Sequence, residues 1–298
     1  MTTDSQPQDL PLRASAQASA PARPGPRAVF IDVDGTYADR GLVPEEHVQA
    51  VRAAREAGHR VFLCTGRPVS MLPESILAAG FDGVVASAGA YVRVGVDVVC
   101  DRRFPATLGS RTVEVLEAHR AVYVLEAQEA LYAPESALPR LTEIVRAHFR
   151  PADARGVDGS AAILGALETP RNLHGVAFAK VSVFECPVPV AVAAAEIGGG
   201  VAVVENSIAD EGRHAGELYL GHITKAVGVE AVVRHLGLSA ADTVAIGDGA
   251  NDLEMLAYAG TAVAVDGAGP QLLALADHVV PPPAGAGVAA AFAVLGLA

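Results

Sequence analysis

The sequence predicts an α/β fold: a doubly wound parallel sheet of Rossmann-like type with a second α/β domain inserted into it. Three observations carry this reading. Short β-branched runs alternate with helical segments from Arg27 onward, the same alternation returns near the end of the chain, and the pattern loosens in between. With 298 residues, 51% hydrophobic and 19% charged, the chain can bury a large core as one unit or two.

Residues 1–26 are rich in Pro, Ala, Ser and Gln without hydrophobic periodicity and read as a mobile tail. AVFIDV, RVFLCTG and GVVASAG then read as strands, with helices at PEEHVQAVRAAREAG and SMLPESILAAG between them. The first helix has Glu45 and Glu46 in its opening turn, apolar residues at Val48, Val51 and Ala54, and a stop at Gly58. Strands joined in this way run parallel through right-handed crossovers.

From residue 90 to 214 the pattern becomes YVRVGVDVVC, a helix at TLGSRTVEVLEAHR, AVYVLEA, a helix at ALPRLTEIVRAHF, a Gly/Ala-rich stretch, and strands at AKVSVFE and GVAVVE. This is the expected insert, and the apolar faces of its helices read as core. The alternation resumes with HITKAVGVEAVVRHLG, TVAIGDG, ANDLEMLAYAG, TAVAV, GPQLLALA, HVV and GVAAAFAVLG. The core is therefore expected over 27–89 and 215–298.

Composition removes several classes of function. A net charge of −12, with no Lys/Arg-rich run, leaves no basic field for nucleic acid. Three cysteines at irregular spacing make neither a disulfide framework nor a CxxC zinc site and fit a reducing cytoplasm. The N-terminus lacks the charged and apolar regions of a secretory signal, and no apolar run is long enough for a membrane span. There is no GxxxxGK[ST], GDGAND lacks the third glycine of a dinucleotide fingerprint, and VASAG has Val85 where a nucleophile elbow needs glycine. The nine histidines form no HExxH. In the insert, Arg171, His174 and Arg213 are candidate substrate contacts, and Cys64 reads as a small buried hydrophobe.

The chemistry collects at strand ends. Asp32 and Asp34, spaced i, i+2, close the first strand, and ligands of such sheets bind outside the strands' carboxyl ends. An isolated DxD reads more readily as a turn cap beside a solvated carboxylate. Here Thr65 and Gly66 close the second strand, Asp248, Asn251 and Asp252 surround a later strand end, and Lys225 opens a helix just upstream. Clustered carboxylates repel, so this set calls for a hard divalent cation, and all-oxygen ligands favour Mg²⁺. A lysine and a hydroxyl suit a phosphate dianion.

The ordered set DVDGT at 32–36, Thr65, Lys225 and GDGAND at 247–252 resembles the four motifs of the haloacid dehalogenase-like phosphohydrolases. The insert between Thr65 and Lys225 resembles the large α/β cap of their Cof-type subfamily, as do AVAVDGAG and ADHVV near the end. The chain departs from that pattern at Ser87-Ala88-Gly89, where Ser-Asn-Gly is usual. It departs also at Ala226, where glycine is common, and at Asp266-Gly267-Ala268, where Asn-Ala is usual.

The resemblance implies a phosphoric monoester hydrolase acting on a small phosphorylated metabolite. Asp32 would be the nucleophile, forming an aspartyl-phosphate, and Asp34 the general acid/base. Asp32, Asp34 through its carbonyl, and Asp248 would hold Mg²⁺, with Asp252 behind them. Thr65, Gly66, Lys225 and Asn251 would bind the phosphoryl oxygens, and the cap would close over the leaving group. Two other readings stay open: a phosphosugar mutase of the phosphomannomutase type, and a phospholigand-binding protein without turnover.

Overall fold

The structure, a computed structural model, describes residues 25–148, 159–205 and 212–298. Apart from Gly25 and Pro26, the expected tail lies outside the described residues. Chain order begins β1 (Ala28–Ile31), α1 (Glu45–Glu56), β2 (Arg60–Cys64), α2 (Glu74–Leu77), β3 (Gly83–Ala86), β4 (Tyr91–Val94) and β5 (Asp97–Asp101). The helix expected over 70–80 is reduced to a 3-10 turn at 69–71 and the four residues of α2. Pro73 divides them, because it has no N–H to carry a helix through.

Next come α3 (Ala106–Ala118), β6 (Val122–Glu126), β7 (Leu131–Tyr132), α4 (Leu138–His148), α5 (Gly159–Gly165), β8 (Leu167–Glu168), β9 (Lys180–Glu185), α6 (Val190–Ile197), β10 (Val201–Glu205) and β11 (Gly216–Leu220). The chain ends with α7 (Lys225–Leu236), β12 (Thr243–Gly247), α8 (Leu253–Tyr258), β13 (Thr261–Val265), α9 (Pro270–Leu275), β14 (His278–Val280) and α10 (Gly287–Leu295).

Two sheets result. The first has the order β14-β13-β12-β1-β2-β3-β4-β5, parallel from β14 to β3 and antiparallel at β4 and β5. The second, β10-β11-β9-β6-β7-β8, is antiparallel except between β7 and β8. The boundaries expected at 89/90 and 214/215 therefore shift. Residues 91–101 form a hairpin that extends the first sheet, and β11 pairs with β9 in the second. Hydrophobic alternation identifies a strand but not the sheet it joins, and the hairpin turn at Gly95 returns the chain to the nearer edge.

Both faces of the first sheet are covered, which is why its central strands are apolar throughout. Val29, Ile31, Val61 and Leu63 pack with α1 and α10, while Phe30, Phe62 and Ala245 pack with α7, α8 and α9. Phe30 and Phe62 stack at 5.2 Å across neighbouring strands, a contact worth ~1 kcal/mol beyond burial. Among the described residues, no helix is long and apolar enough to cross a membrane.

His47, fully buried on α1, ties three segments together. The Val288 N–H donates to Nε2 at 3.1 Å, so Nδ1 carries the proton and donates to the Tyr37 carbonyl at 2.8 Å. Burial holds the ring's pKa below its ordinary value. The unfolded chain then binds a proton that the native chain refuses, so stability falls as pH drops below about 6.5. Chemical denaturation between pH 7.5 and 5 should show that loss, and His47→Gln should remove the His47 part of the slope.

At the end of β3 the chain passes through Ser87, Ala88 and Gly89 with φ of 48°, 54° and 102°. Only the glycine is at ease there, and Asn tolerates the left-handed region better than Ala. Ala88→Asn should therefore stabilise the fold by about 1 kcal/mol, a rise of about 2–4 °C in melting temperature. Ala88→Val should lower it.

Candidate active site

β1 lies between β12 and β2, so the chain leaves the sheet in opposite directions from its centre and opens a crevice at the strands' carboxyl ends. Asp32 follows β1 directly, and its N–H still bonds the Ile246 carbonyl of β12 at 2.9 Å. That places it beside Asp248. One oxygen each of Asp32, Asp248 and Asp252 lie within 4.8 Å of one another.

Lys225, the first residue of α7, is fully buried among them. Its Nζ donates to Asp32 Oδ1 at 2.5 Å and to Asp252 Oδ1 at 2.6 Å. Burial pushes the Asp32 carboxyl well above its ordinary value, Asp252 adds to this, and Lys225 opposes it. The ammonium itself is driven down by burial, but the two aspartates more than reverse this and raise it. Burial likewise raises Asp248, whose Oδ1 accepts from Thr36 Oγ1 at 2.7 Å. Asp252 gives its other oxygen to the Asp248 and Gly249 amides at 3.1 and 3.0 Å, so it fixes both the loop and the lysine.

Two glycines make this density possible. A Cβ on Gly35, at φ 86°, would stand 2.3 Å from Asp248 Oδ2, and one on Gly247 would stand 2.5 Å from Asp252 Cγ. On the far side of α7, a Cβ on Gly89 would meet the Thr224 carbonyl at 2.0 Å, and one on Gly228 would meet Val85 at 2.4 Å. The helix is therefore seated close enough to β3 for its first residue to reach Asp32.

Thr65 is buried after β2, and its Oγ1 accepts from the Arg67 N–H at 3.1 Å. Gly66 faces Asn251: a Cβ there would lie 3.8 Å from Asn251 Nδ2. The structure thus brings Asp32, Asp248, Asp252 and Lys225 into one cluster and sets Gly66 beside Asn251.

Asp34 stands apart. Strand alternation would aim it with Asp32, but β1 ends at Ile31 and the chain turns through Gly35. Its carboxylate is half exposed, and Arg67 grips both oxygens, Nε to Oδ2 at 2.7 Å and Nη2 to Oδ1 at 2.5 Å. Sequence reasoning missed Arg67, although it directly follows the Thr65-Gly66 pair. It missed Gln128 as well, which reaches from the second sheet to the Ser87 hydroxyl at 2.9 Å and accepts from the Val69 N–H at 3.0 Å.

Other candidates lie elsewhere. His174 contacts Ser110 of α3 at 3.1 Å, on the helix layer behind the second sheet. Arg171 and Arg213 are exposed. Cys64 is buried in the apolar layer with Phe30 and Phe62, and burial pushes its thiol up.

The family model described as haloacid dehalogenase-like hydrolase matches residues 29–161 and 193–292, and the chain belongs to that family. Several of its relatives are named phosphatases. It is 26% identical to the phosphoglycolate phosphatase of Methanothermobacter thermautotrophicus over 89% of this chain and 96% of that one. It is also 26% identical to YkrA of Bacillus subtilis strain 168, over 91% and 98%. A solved subclass IIB sugar phosphatase superposes with a TM-score of 0.69 at 21% identity, covering 91% of this chain and all of the other.

Lys225→Met removes the cation that, among the described residues, pairs with the buried Asp32 and Asp252. Leaving buried charge uncompensated costs about 3–5 kcal/mol, and urea denaturation at pH 8 should show a loss of that order. An unchanged midpoint would mean that the lysine does not hold the cluster together.

Proposed function

We propose that this chain is a Mg²⁺-dependent phosphomonoesterase that removes phosphate from a small phosphorylated metabolite, a sugar phosphate or similar, through an aspartyl-phosphate. The observation that carries the reading is Asp32, buried at the carboxyl end of β1 with Lys225 on one oxygen and Asp248 and Asp252 within 4.8 Å. The relatives named above, a phosphoglycolate phosphatase and a sugar phosphatase, support a small phosphate monoester as substrate.

The donor set fits a hard cation. Three carboxylates against one ammonium leave negative charge in excess, and every ligand atom is oxygen. Mg²⁺ would be held by the Asp32 and Asp248 carboxylates and the Asp34 carbonyl, with Asp252 fixing the loop behind. When bound it supplies positive charge that favours ionised Asp32 and offsets repulsion between that carboxylate and an anionic phosphate.

Asp32 then attacks phosphorus in line. The bond to the leaving oxygen breaks, that oxygen takes a proton from Asp34, and the phosphoryl group is carried on Asp32. Water next attacks the same phosphorus and gives its proton to Asp34, restoring the Asp32 carboxylate and releasing phosphate. Thr65, the Gly66 amide, Lys225 and Asn251 bear on the phosphoryl oxygens, each worth up to ~3 kcal/mol to the transition state. Arg67 holds Asp34 outside the buried cluster, so proton transfer follows release of that pair.

The test is phosphate release from a panel of sugar phosphates, nucleotides, and flavin and pyridoxal phosphates, with Mg²⁺ or chelator. Wild type should release phosphate only with Mg²⁺, and Asp32→Asn should lose at least ~10³-fold. Absence of release from every compound would sink the reading.

A further inference from the structure

Gln128 reaches out of the second sheet and makes bonds that this sheet does not need. It sits with Glu129 at the tip of the turn between β6 and β7, where the Ala127 N–H donates to the Ala130 carbonyl at 3.1 Å. Among the described residues, both hydrogen bonds of its carboxamide go to the unit built on the first sheet. Its Oε1 accepts from the Val69 N–H at 3.0 Å, and its Nε2 donates to Ser87 Oγ at 2.9 Å. A backbone N–H only donates, so the oxygen must face Val69 and the amide nitrogen Ser87.

The Val69 amide needs that partner. It is the first N–H of the 3-10 turn at 69–71, so no carbonyl within the turn can accept it. The residue before it is Pro68, which has no side-chain oxygen to act as a cap. Gln128 supplies the missing acceptor from 59 residues along the chain. Its own turn is held in place for this. Ser70 Oγ donates to the Ala127 carbonyl at 2.9 Å, and Met71 packs on the apolar cluster of Val122, Val124 and Ile163. Arg103, which also holds Asp101, bonds Glu129 at 2.5 Å.

The segment braced in this way follows the second strand end of the site. The Arg67 carbonyl accepts from the Ser87 N–H at 2.8 Å, and the Thr65 carbonyl accepts from the Ala88 N–H at 3.0 Å. Gln128 thus bonds both the residue two beyond Arg67 and the residue that holds the Arg67 carbonyl. From that backbone the guanidinium grips both oxygens of Asp34. A planar fork orients a carboxylate only as well as the fork itself is held.

We propose that Gln128 is a positioning residue for the reaction: without touching substrate, it fixes the backbone of Arg67, and through Arg67 the place from which Asp34 serves the leaving oxygen. The proposal rests on the phosphatase reading and adds a residue to it. Misplacing a reacting group by about 1 Å costs about 10²-fold in rate. Here the loss falls on leaving groups that need a proton, while an oxygen acidic enough to depart as an anion is indifferent to it.

The test compares kcat/KM with Mg²⁺ for phenyl phosphate and 4-nitrophenyl phosphate, which share a ring but differ in the acidity of the leaving oxygen. This quantity covers the steps up to departure of the leaving group. Gln128→Met, of similar length but without donor or acceptor, should lose at least ~10-fold on phenyl phosphate and less than ~3-fold on 4-nitrophenyl phosphate. Gln128→Glu still accepts from the Val69 N–H and from the Ser87 hydroxyl, so it should stay within ~3-fold of wild type on both. Ser87→Ala keeps the backbone bond to Arg67 and should show the contrast of Gln128→Met at smaller size. Melting temperatures check the fold of each variant. Equal loss on both esters, no loss, or a Gln128→Glu as impaired as Gln128→Met overturns the positioning role and leaves the phosphatase reading standing. Wild type inactive towards both esters and the whole panel above overturns both.

Discussion

The arrangement depends on one ammonium group placed between carboxylates that would otherwise repel. Lys225 Nζ touches Asp32 and Asp252 with no exposure to solvent. To deliver it there, α7 must begin at the sheet edge, and Gly89 and Gly228 let the helix approach β3 that closely. On the opposite side, Gly35 and Gly247 leave room for Asp248 and Asp252. Four missing Cβ atoms are thus the steric condition for one electrostatic contact.

Two aspartates two residues apart end in different environments, and environment separates their chemistry. Asp32 is buried against a lysine and further carboxylates, with its carboxyl held high by desolvation. Asp34 is open to water and clasped bidentately by Arg67, a geometry that orients a carboxylate as well as attracting it. In the proposed reaction the first must stay fixed while the second moves a proton. A buried, doubly engaged group and a surface pair suit those separate tasks.

Much of the first sheet was legible in the sequence because its strands are short, β-branched and separated by helical segments. The gathering of Asp32, Asp248, Asp252 and Lys225 was legible because these residues sit at or beside the ends of those strands. What alternation could not show was partnership: β4 and β5 read as part of the insert although they extend the first sheet. β7 and β8 have two residues each, too few for a period of two to register. α5 falls within the Gly/Ala-rich stretch, and α6, built largely from Ala and Val between two strands, was not read as a helix. Arg67 went unread because its partner Asp34 lies 33 residues away, and that pairing exists only once β1 and β2 are side by side.

The place of the insertion in the chain couples the second sheet to the site. One connection leaves β5, whose hairpin grows from the strained Ser87–Gly89 turn, and the other returns through 221–224 straight into Lys225. Gln128 closes the circuit by bonding the Ser87 hydroxyl from above. A displacement of the second sheet therefore pulls on the turn that supports α7 and on the residue preceding its lysine. The left-handed backbone at Ser87 and Ala88 makes sense in this position, because Ser87 offers its side chain to Gln128 while its N–H stays bonded to the Arg67 carbonyl. The same backbone segment is thereby linked to the second sheet, to the arginine that holds Asp34, and to the helix that carries Lys225.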